Sequence, residues 1–188
     1  MSASPEMADQ RFLDLLRPIE RELELYCRRL SFEQRDAADA IQNAVLRAYR
    51  AFDRYHEDAS FRAWMFKILT NEVFAINRKR GRIAKFELAI EPEELDSLAG
   101  AATDMDFSLA PSSWEVLADA LDQDLLASLE TLNEIERAVL LLRAIGDLRY
   151  REISQSLEIP MGSVMGNLSR ARRKMRDAIL RSRRRTAT

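Results

Sequence analysis

Cysteine and histidine are almost absent, with one of each in 188 residues, and glycine and proline number only five apiece. A closed zinc site needs about four Cys or His ligands, so Cys27 and His56 cannot build one. A single thiol forms no intrachain disulfide, which fits a reducing cytoplasm. Cys27 shares an apolar helical pattern with Ile19, Leu23, Tyr26 and Leu30, and reads as a small core residue. His56 stands in a polar stretch with no Ser or Cys arranged as its nucleophile, which argues against a catalytic triad. A phosphate-binding G-x-x-x-x-G-K-S/T pattern is missing, as is any clustered set of metal ligands. No cofactor and no metal are therefore expected. The N-terminus lacks the basic-then-apolar order of a signal peptide, and no apolar run approaches the roughly 18 residues of a membrane span. The expectation is a cytoplasmic protein without membrane insertion.

Scarce glycine and proline also leave little material for a turn-rich β architecture, whereas Ala, Leu, Arg and Glu are abundant and favour helices. Hydrophobic residues at 47% and charged residues at 32% are ordinary for a globular chain, long enough for one domain or two small ones. Net charge is only −2, but that average conceals segregation. From Phe86 to Asp124 there is no Lys or Arg and there are eleven acids, among them Glu91, Glu93, Glu94, Asp104, Asp106 and Asp124. Basic stretches flank it, Arg62 to Lys85 and Arg170 to Arg185. Two basic patches around an acidic connector suggest two contacts with a polyanion; the alternative is a pair of solvated helix faces.

Helical periodicity organises the rest. Phe12, Leu15, Leu16, Ile19, Leu23, Tyr26 and Leu30 form one buried face, with Pro18 marking a late start or a kink. A second helix is expected from about Gln34 to Phe52, burying Ala38, Ile41, Val45, Ala48, Tyr49 and Phe52. Ser60 is a candidate N-cap for a third, with Phe61, Trp64, Met65, Ile68, Glu72 and Ile76 on one side. Residues 86–111 read as an irregular linker. Helical pattern resumes at Ser112-Ser113-Trp114-Glu115, a capping-box spacing, and continues through Leu117, Leu121, Leu125 and Leu129. Asn133 and Glu136 repeat the device, and Gly146 ends the helix that follows. Tyr150 to Leu157 then leads through a tight turn into a long helix from Met161, the layout of a helix-turn-helix. Val164, Leu168, Ala171, Met175 and Ile179 form its buried stripe.

Together these segments predict an all-α fold of two small helical domains, residues 9–85 and 112–185, joined by the acidic linker. Within them, Asp36-Ala-Ala-Asp39-Ala-Ile-Gln42 and Ser60-Phe-Arg-Ala-Trp64-Met-Phe-Lys-Ile68-Leu-Thr-Asn71 resemble the second conserved region of extracytoplasmic-function (ECF) sigma factors of the sigma-70 family. Leu129-Glu-Thr-Leu132, Glu136-Arg137, Tyr150-Arg-Glu152-Ile153, Ile159-Pro-Met-Gly162-Ser-Val164 and Leu168-Ser-Arg170-Ala-Arg172 resemble the family's fourth region. The resemblance covers about Phe12 to Arg82 and Trp114 to Arg181.

It implies a dissociable subunit that brings core RNA polymerase to promoter DNA, not an enzyme, and it implies an anti-sigma partner. Docking on polymerase falls to Asp36, Asp39, Gln42 and Asn43. Asp39 and Gln42 lie on one helical face, with Asp36 one turn earlier. Ala38 and Asn43 stand where relatives usually carry acids; the alternative reading is a solvated acidic helix start. Recognition and opening of the −10 element falls to Arg54, Tyr55 and His56 of a loop reaching Asp58, and to Lys67, Asn71, Phe74, Asn77, Arg78 and Arg80. Lys67, Thr70, Asn71, Phe74, Asn77 and Arg78 are expected on the outer face of the third helix, with Asn71 matching the position of an extruded base. Phe74 stays open between a stacking platform and a helix contact. Contact with the −35 element falls to Ser163, Gly166, Asn167, Arg170, Arg173 and Lys174. Relatives commonly carry T-V-K-S-R where Ser163-Val-Met165-Gly166-Asn167 stands, so two expected cations are missing. Either Gly166 lets the backbone approach DNA while Asn167 reads adenine, or these positions have drifted. The linker is either a solvated tether or a mimic of nucleic-acid charge. Rival readings are a stand-alone helix-turn-helix regulator, which would bind duplex DNA without polymerase, and a protein-binding helical adaptor. Neither needs the Asp39/Gln42 or Trp64/Asn71 sets.

Overall fold

Pro18 divides the first helical pattern in two. In the computed structural model, which describes residues 5–33, 35–56, 60–85 and 123–186, α1 (Pro5–Leu16) ends in a 3-10 turn, Arg17–Ile19, before α2 (Glu20–Leu30) begins. Proline has no N–H to continue the ladder, and the tighter turn absorbs the break. The apolar face survives the change: Phe12, Leu16, Ile19, Leu23, Tyr26, Cys27 and Leu30 are all buried. Arg28 and Arg29 occupy the last turn of α2, where cations complement the helix dipole.

The next helix, α3 (Arg35–Arg50), buries a different face from the one its large residues suggest. Its core stripe is Ala37, Ala40, Ala44 and Ala48. Ala38 and Tyr49 are exposed, and Ile41 and Val45 are half-buried. Four alanines at helical spacing give little side-chain bulk, so α3 packs closely against both α2 and the following helix. Phe52 is buried within a 3-10 turn, Phe52–Arg54.

Ser60 caps α4 (Phe61–Lys85): its Oγ accepts the Ala63 N–H at 3.2 Å. The buried stripe of α4 is Phe61, Met65, Phe66, Leu69, Thr70, Val73 and Asn77. Trp64, Ile68, Glu72 and Ile76, expected inside, are half-buried along its flank, about one residue out of phase. Aromatic rings join these helices, with Phe12 edge-on to Phe52 at 5.2 Å and Phe61 at 5.9 Å.

Contacts divide the chain into two compact units, one within Met1–Pro92 and one within Glu93–Thr188. The second comprises, among the described residues, α5 (Gln123–Leu129), α6 (Glu134–Ala144), α7 (Tyr150–Leu157) and α8 (Met161–Thr186). The capping box at Ser112 to Glu115, with Trp114, Leu117, Leu121 and the linker 86–111, lies outside the described residues. Asn133 and Glu136 do form a reciprocal capping box on α6. Arg137 is buried and donates twice to the Leu129 carbonyl, from Nε at 3.1 Å and Nη2 at 2.8 Å, closing the end of α5. Leu142, Leu148, Ile153, Val164, Leu168 and Ala171 fill the core between α6, α7 and α8.

Gly146 ends α6 through lack of bulk and without a left-handed backbone. A Cβ there would stand 2.7 Å from both the Leu142 carbonyl oxygen and Leu148 Cδ1. At the α7–α8 turn Glu158 adopts φ 57, Ile159 N–H donates to Ser154 O, and Ser154 Oγ donates to Ile159 O. That turn sets a helix-turn-helix. Every regular element among the described residues is helical.

Candidate functional site

Three sets of surface residues, two on the first unit and one on the second, carry the chemistry expected of the chain. On α3, Asp39, Gln42 and Asn43 are exposed, but they do not share one surface with Asp36. Asp36 is buried in the first turn, one turn before the core residue Ala40. Gln42 lines a groove between α2 and α3 with Glu24, Arg28 and Ile41. Asn43 lines another, between α3 and α4, with Leu46, Arg50 and the ion-paired Arg47 and Glu72. The helical sweep of 100° per residue separates neighbours in sequence onto two grooves.

On α4, Lys67, Asn71, Phe74 and Arg78 recur at spacings of four, three and four, and so form one stripe. Asn71 and Arg78 are exposed, and Lys67 and Phe74 are half-buried. Thr70 and Asn77, expected on the same stripe, turn inward. Thr70 is buried; its Oγ1 donates to the Phe66 carbonyl at 2.6 Å and lies 2.6 Å from the Tyr26 hydroxyl. Asn77 is buried, and its Oδ1 accepts from the Phe32 backbone N–H at 3.4 Å. Both residues therefore tie α4 to α2 and the segment after it, and Asn77 is not available at the surface. Periodicity missed this because polar side chains at those positions looked outward-facing by type alone. The Arg80 side chain lies outside the described residues, as do Glu57 and Asp58.

The loop before α4 is anchored by aromatic contact. Tyr55 stacks on Phe52 at 5.8 Å and leans on Trp64 at 5.2 Å. Arg54 and His56 on either side are exposed. Trp64 thus supports the loop as well as the helix, bringing the 54–56 segment to the N-terminal part of α4.

The third set lies on α8. Ser163 and Arg173 are exposed, as are Met161 and Met165. Gly166 faces open space but for the Arg170 guanidinium, whose nearest atom would lie 3.5 Å from an added Cβ. Asn167, expected to point outward, is 9% exposed and bonded within its own helix. Its Nδ2 donates to the Ser163 carbonyl at 2.8 Å, and its Oδ1 accepts from Arg170 Nη2 at 3.0 Å. Arg170 also approaches Glu136 Oε1 with Nε at 3.6 Å, and Lys174 Nζ donates to Glu136 Oε2 at 2.8 Å. Glu136 is the residue that sequence reasoning missed as a member of this set. Its spacing from Asn133 signals a helix cap and nothing more; only packing of α6 on α8 delivers its carboxylate to two cations.

Burial sets the chemistry of the interior groups. The Cys27 thiol is pushed up to about 11 by burial, with its sulfur against Ser31 and the Ala37 carbonyl. Burial likewise raises the Tyr26 phenol and lowers the Arg137 and Arg29 guanidinium values. Among the described residues no group of three or more His, Cys, Asp or Glu is arranged to hold a metal ion. No helix among them is long and apolar enough to cross a membrane.

Comparison with known proteins matches residues 15–83 to the sigma-70 region 2 model and residues 122–175 to the sigma-70 region 4 model. The chain is 33% identical over 150 residues to the ECF RNA polymerase sigma factor SigE of Mycolicibacterium smegmatis, covering 79% of this chain and 54% of that one. It thus spans about half the length of that relative. It is 30% identical over 139 residues to the ECF RNA polymerase sigma-E factor of Escherichia coli strain K12, covering 73% of this chain and 70% of the relative. In fold it is similar to the sigma factor RpoE solved with the anti-sigma factor NepR from Bartonella quintana. That likeness has a TM-score of 0.64 at 22% identity, covering 91% of this chain and 95% of that one. A further likeness is to CnrH solved with the cytosolic domain of CnrY, with a TM-score of 0.61 at 22% identity over 93% and 90% of the two chains.

Proposed function

The chain belongs to the ECF sigma factors of the sigma-70 family, and from that membership we propose that it directs core RNA polymerase to specific promoters and helps to open the −10 element. The observation that carries this reading is the presence, in one chain and in this order, of both region models on two helical units. A stand-alone helix-turn-helix regulator would need only the second. Chemistry belongs to the polymerase in this scheme, so the chain itself is not an enzyme, and it works in the cytoplasm where transcription occurs.

Residue roles follow the exposed sets. Asp39, Gln42 and Asn43 offer polymerase a carboxylate and two amides along α3, and Asp36 shapes the helix start beneath them. Lys67, Asn71, Phe74 and Arg78 meet −10 DNA, where cations hold phosphates, an amide reads a base edge and a ring stacks. Arg54, Tyr55 and His56 flank the extruded base, and Arg80 adds a cation to the same helix for phosphate contact. On α8, the recognition helix, Ser163, Arg170, Arg173 and Lys174 face −35 DNA, with Gly166 permitting close approach. Asn167 contributes through Arg170. The sigma factor RpoE, similar in fold, was solved with the anti-sigma factor NepR, which supports an inhibitory partner here too.

A transcription assay tests the proposal. Purified chain plus core polymerase should give specific initiation on a promoter mapped by sequencing transcripts after induced expression. Failure to associate with core polymerase and to support initiation would falsify it. Asn71→Ala should lower −10 recognition while core binding stays intact; loss of core binding would instead make Asn71 part of the scaffold.

A further inference from the structure

We propose that Glu136 is a positioning residue that restrains the cations of the recognition helix, holding Lys174 and Arg170 away from nonspecific phosphate contact. This rests on the proposal that α8 faces DNA. Glu136 comes from α6, is 1% exposed, and presents both carboxylate oxygens to α8. Oε2 takes Lys174 Nζ at 2.8 Å while also accepting the Asn133 backbone N–H at 3.1 Å. Oε1 faces Arg170 Nε at 3.6 Å, and the same guanidinium reaches Asn167 Oδ1 at 3.0 Å. Asn167 in turn bonds to the Ser163 carbonyl. Four of the residues assigned to −35 DNA are thus links in one chain whose anchor is an acid from another helix.

The consequence is electrostatic. A buried carboxylate beside two part-exposed cations offsets part of the charge they would present to a polyanion. Because the carboxylate itself is shielded from water, its attraction is screened less than that of a surface pair. Lys174 and Arg170 then reach DNA only where geometry lets them exchange or share the carboxylate, which a random phosphate does not reward. Arg173, exposed on the same helix, lies outside this chain of contacts and supplies the general attraction.

Glu136→Gln tests this while keeping an oxygen for the Asn133 N–H. Binding of the full chain to a duplex of unselected sequence is followed by fluorescence anisotropy across a range of KCl concentrations. The variant should bind about threefold to tenfold more tightly at low salt. Its plot of log affinity against log salt should steepen by about one to two, as one or two cations engage phosphate. Lys174→Met alone should leave the slope of the wild type nearly unchanged, and added to Glu136→Gln it should remove about one unit of the increase. An unchanged slope in Glu136→Gln, with helix content preserved by circular dichroism, overturns the proposal. So does a slope that falls by about one in Lys174→Met alone, which needs no stability of the Glu136 variant. A wild type that binds no duplex, with a Glu136→Gln variant that binds none either, also overturns the proposal, while the proposed function, which needs promoter binding only together with polymerase, is left standing.

Discussion

Thr70 shows how a single polar residue can belong to the core. Its hydroxyl donates to Phe66 O, so the Tyr26 hydroxyl donates to Thr70 Oγ1. Removing the acceptor and removing the donor are therefore unequal. Thr70→Val strands the Tyr26 O–H in an apolar interior and should cost about 1–3 kcal/mol. Tyr26→Phe leaves Thr70 with its Phe66 partner and should cost about 0.5–1.5 kcal/mol. Urea denaturation of the two variants checks the order, and a larger loss for Tyr26→Phe would contradict the assigned direction. Cys27 supplies a pH prediction. Its folded value of about 11 stands above the ordinary 9, so the folded state keeps a proton that the unfolded state releases. The stability contribution is present below about pH 9 and is lost as pH rises toward 11. Tyr26, also raised by burial, adds to the loss at the alkaline end. Cys27→Ala should flatten the fall in urea midpoint across that window; an unaltered slope would remove Cys27 from the account.

Helices and their joints respond to glycine in opposite ways. At Gly146 an added methyl would meet a backbone carbonyl that cannot yield and the buried Leu148. Gly146→Ala should therefore destabilise the α6–α7 joint by about 1–3 kcal/mol through overpacking. At Gly166, in the second turn of α8, a methyl meets only the end of the Arg170 side chain at ordinary distance. Gly166→Ala should stabilise α8 by up to about 1 kcal/mol from helix propensity. Thermal unfolding of the two variants should shift in opposite directions. If Gly166→Ala also weakens promoter binding, the glycine serves backbone approach to DNA; unaltered binding marks it as drift. The alanine stripe of α3 makes a related point about elements. Large residues at 41, 45 and 49 define an amphipathic pattern, yet the helix buries the small residues beside them. The small side chains let α3 approach both α2 and α4 closely.

Charge is the property that acts on the molecule as a whole. Outside residues 86–124 the chain carries a surplus of nine positive charges, against the eleven acids within that segment. The near-neutral total is a balance between parts and not a dilution. Replacing Glu87, Glu91, Glu93, Glu94, Asp96, Asp104 and Asp106 by their amides should raise the salt needed to elute the chain from heparin. It should also strengthen binding to unselected duplex without altering helix content. Elution at an unchanged salt concentration would show that the basic units meet polyanions independently of the segment's charge.

Helix type and order among the described residues follow from the sequence alone, because periodicity and capping pairs such as Asn133 with Glu136 act over a few residues; the division of the first pattern into two helices at Pro18 was left open by it. Family membership was legible for the same reason: the motifs from Asp36 to Asn71 and from Leu129 to Arg172 are local strings. Which face of a helix is inside depends on its neighbours, and this is where tertiary structure decided. Packing on α2 turned Thr70 inward, and the segment after α2 claimed Asn77 through the Phe32 N–H. Packing of α6 on α8 made a helix-capping acid into the partner of Lys174 and Arg170. A side chain's type states what bonds it can make; only the fold supplies the second group, from a residue dozens of positions away, that decides which bond is made.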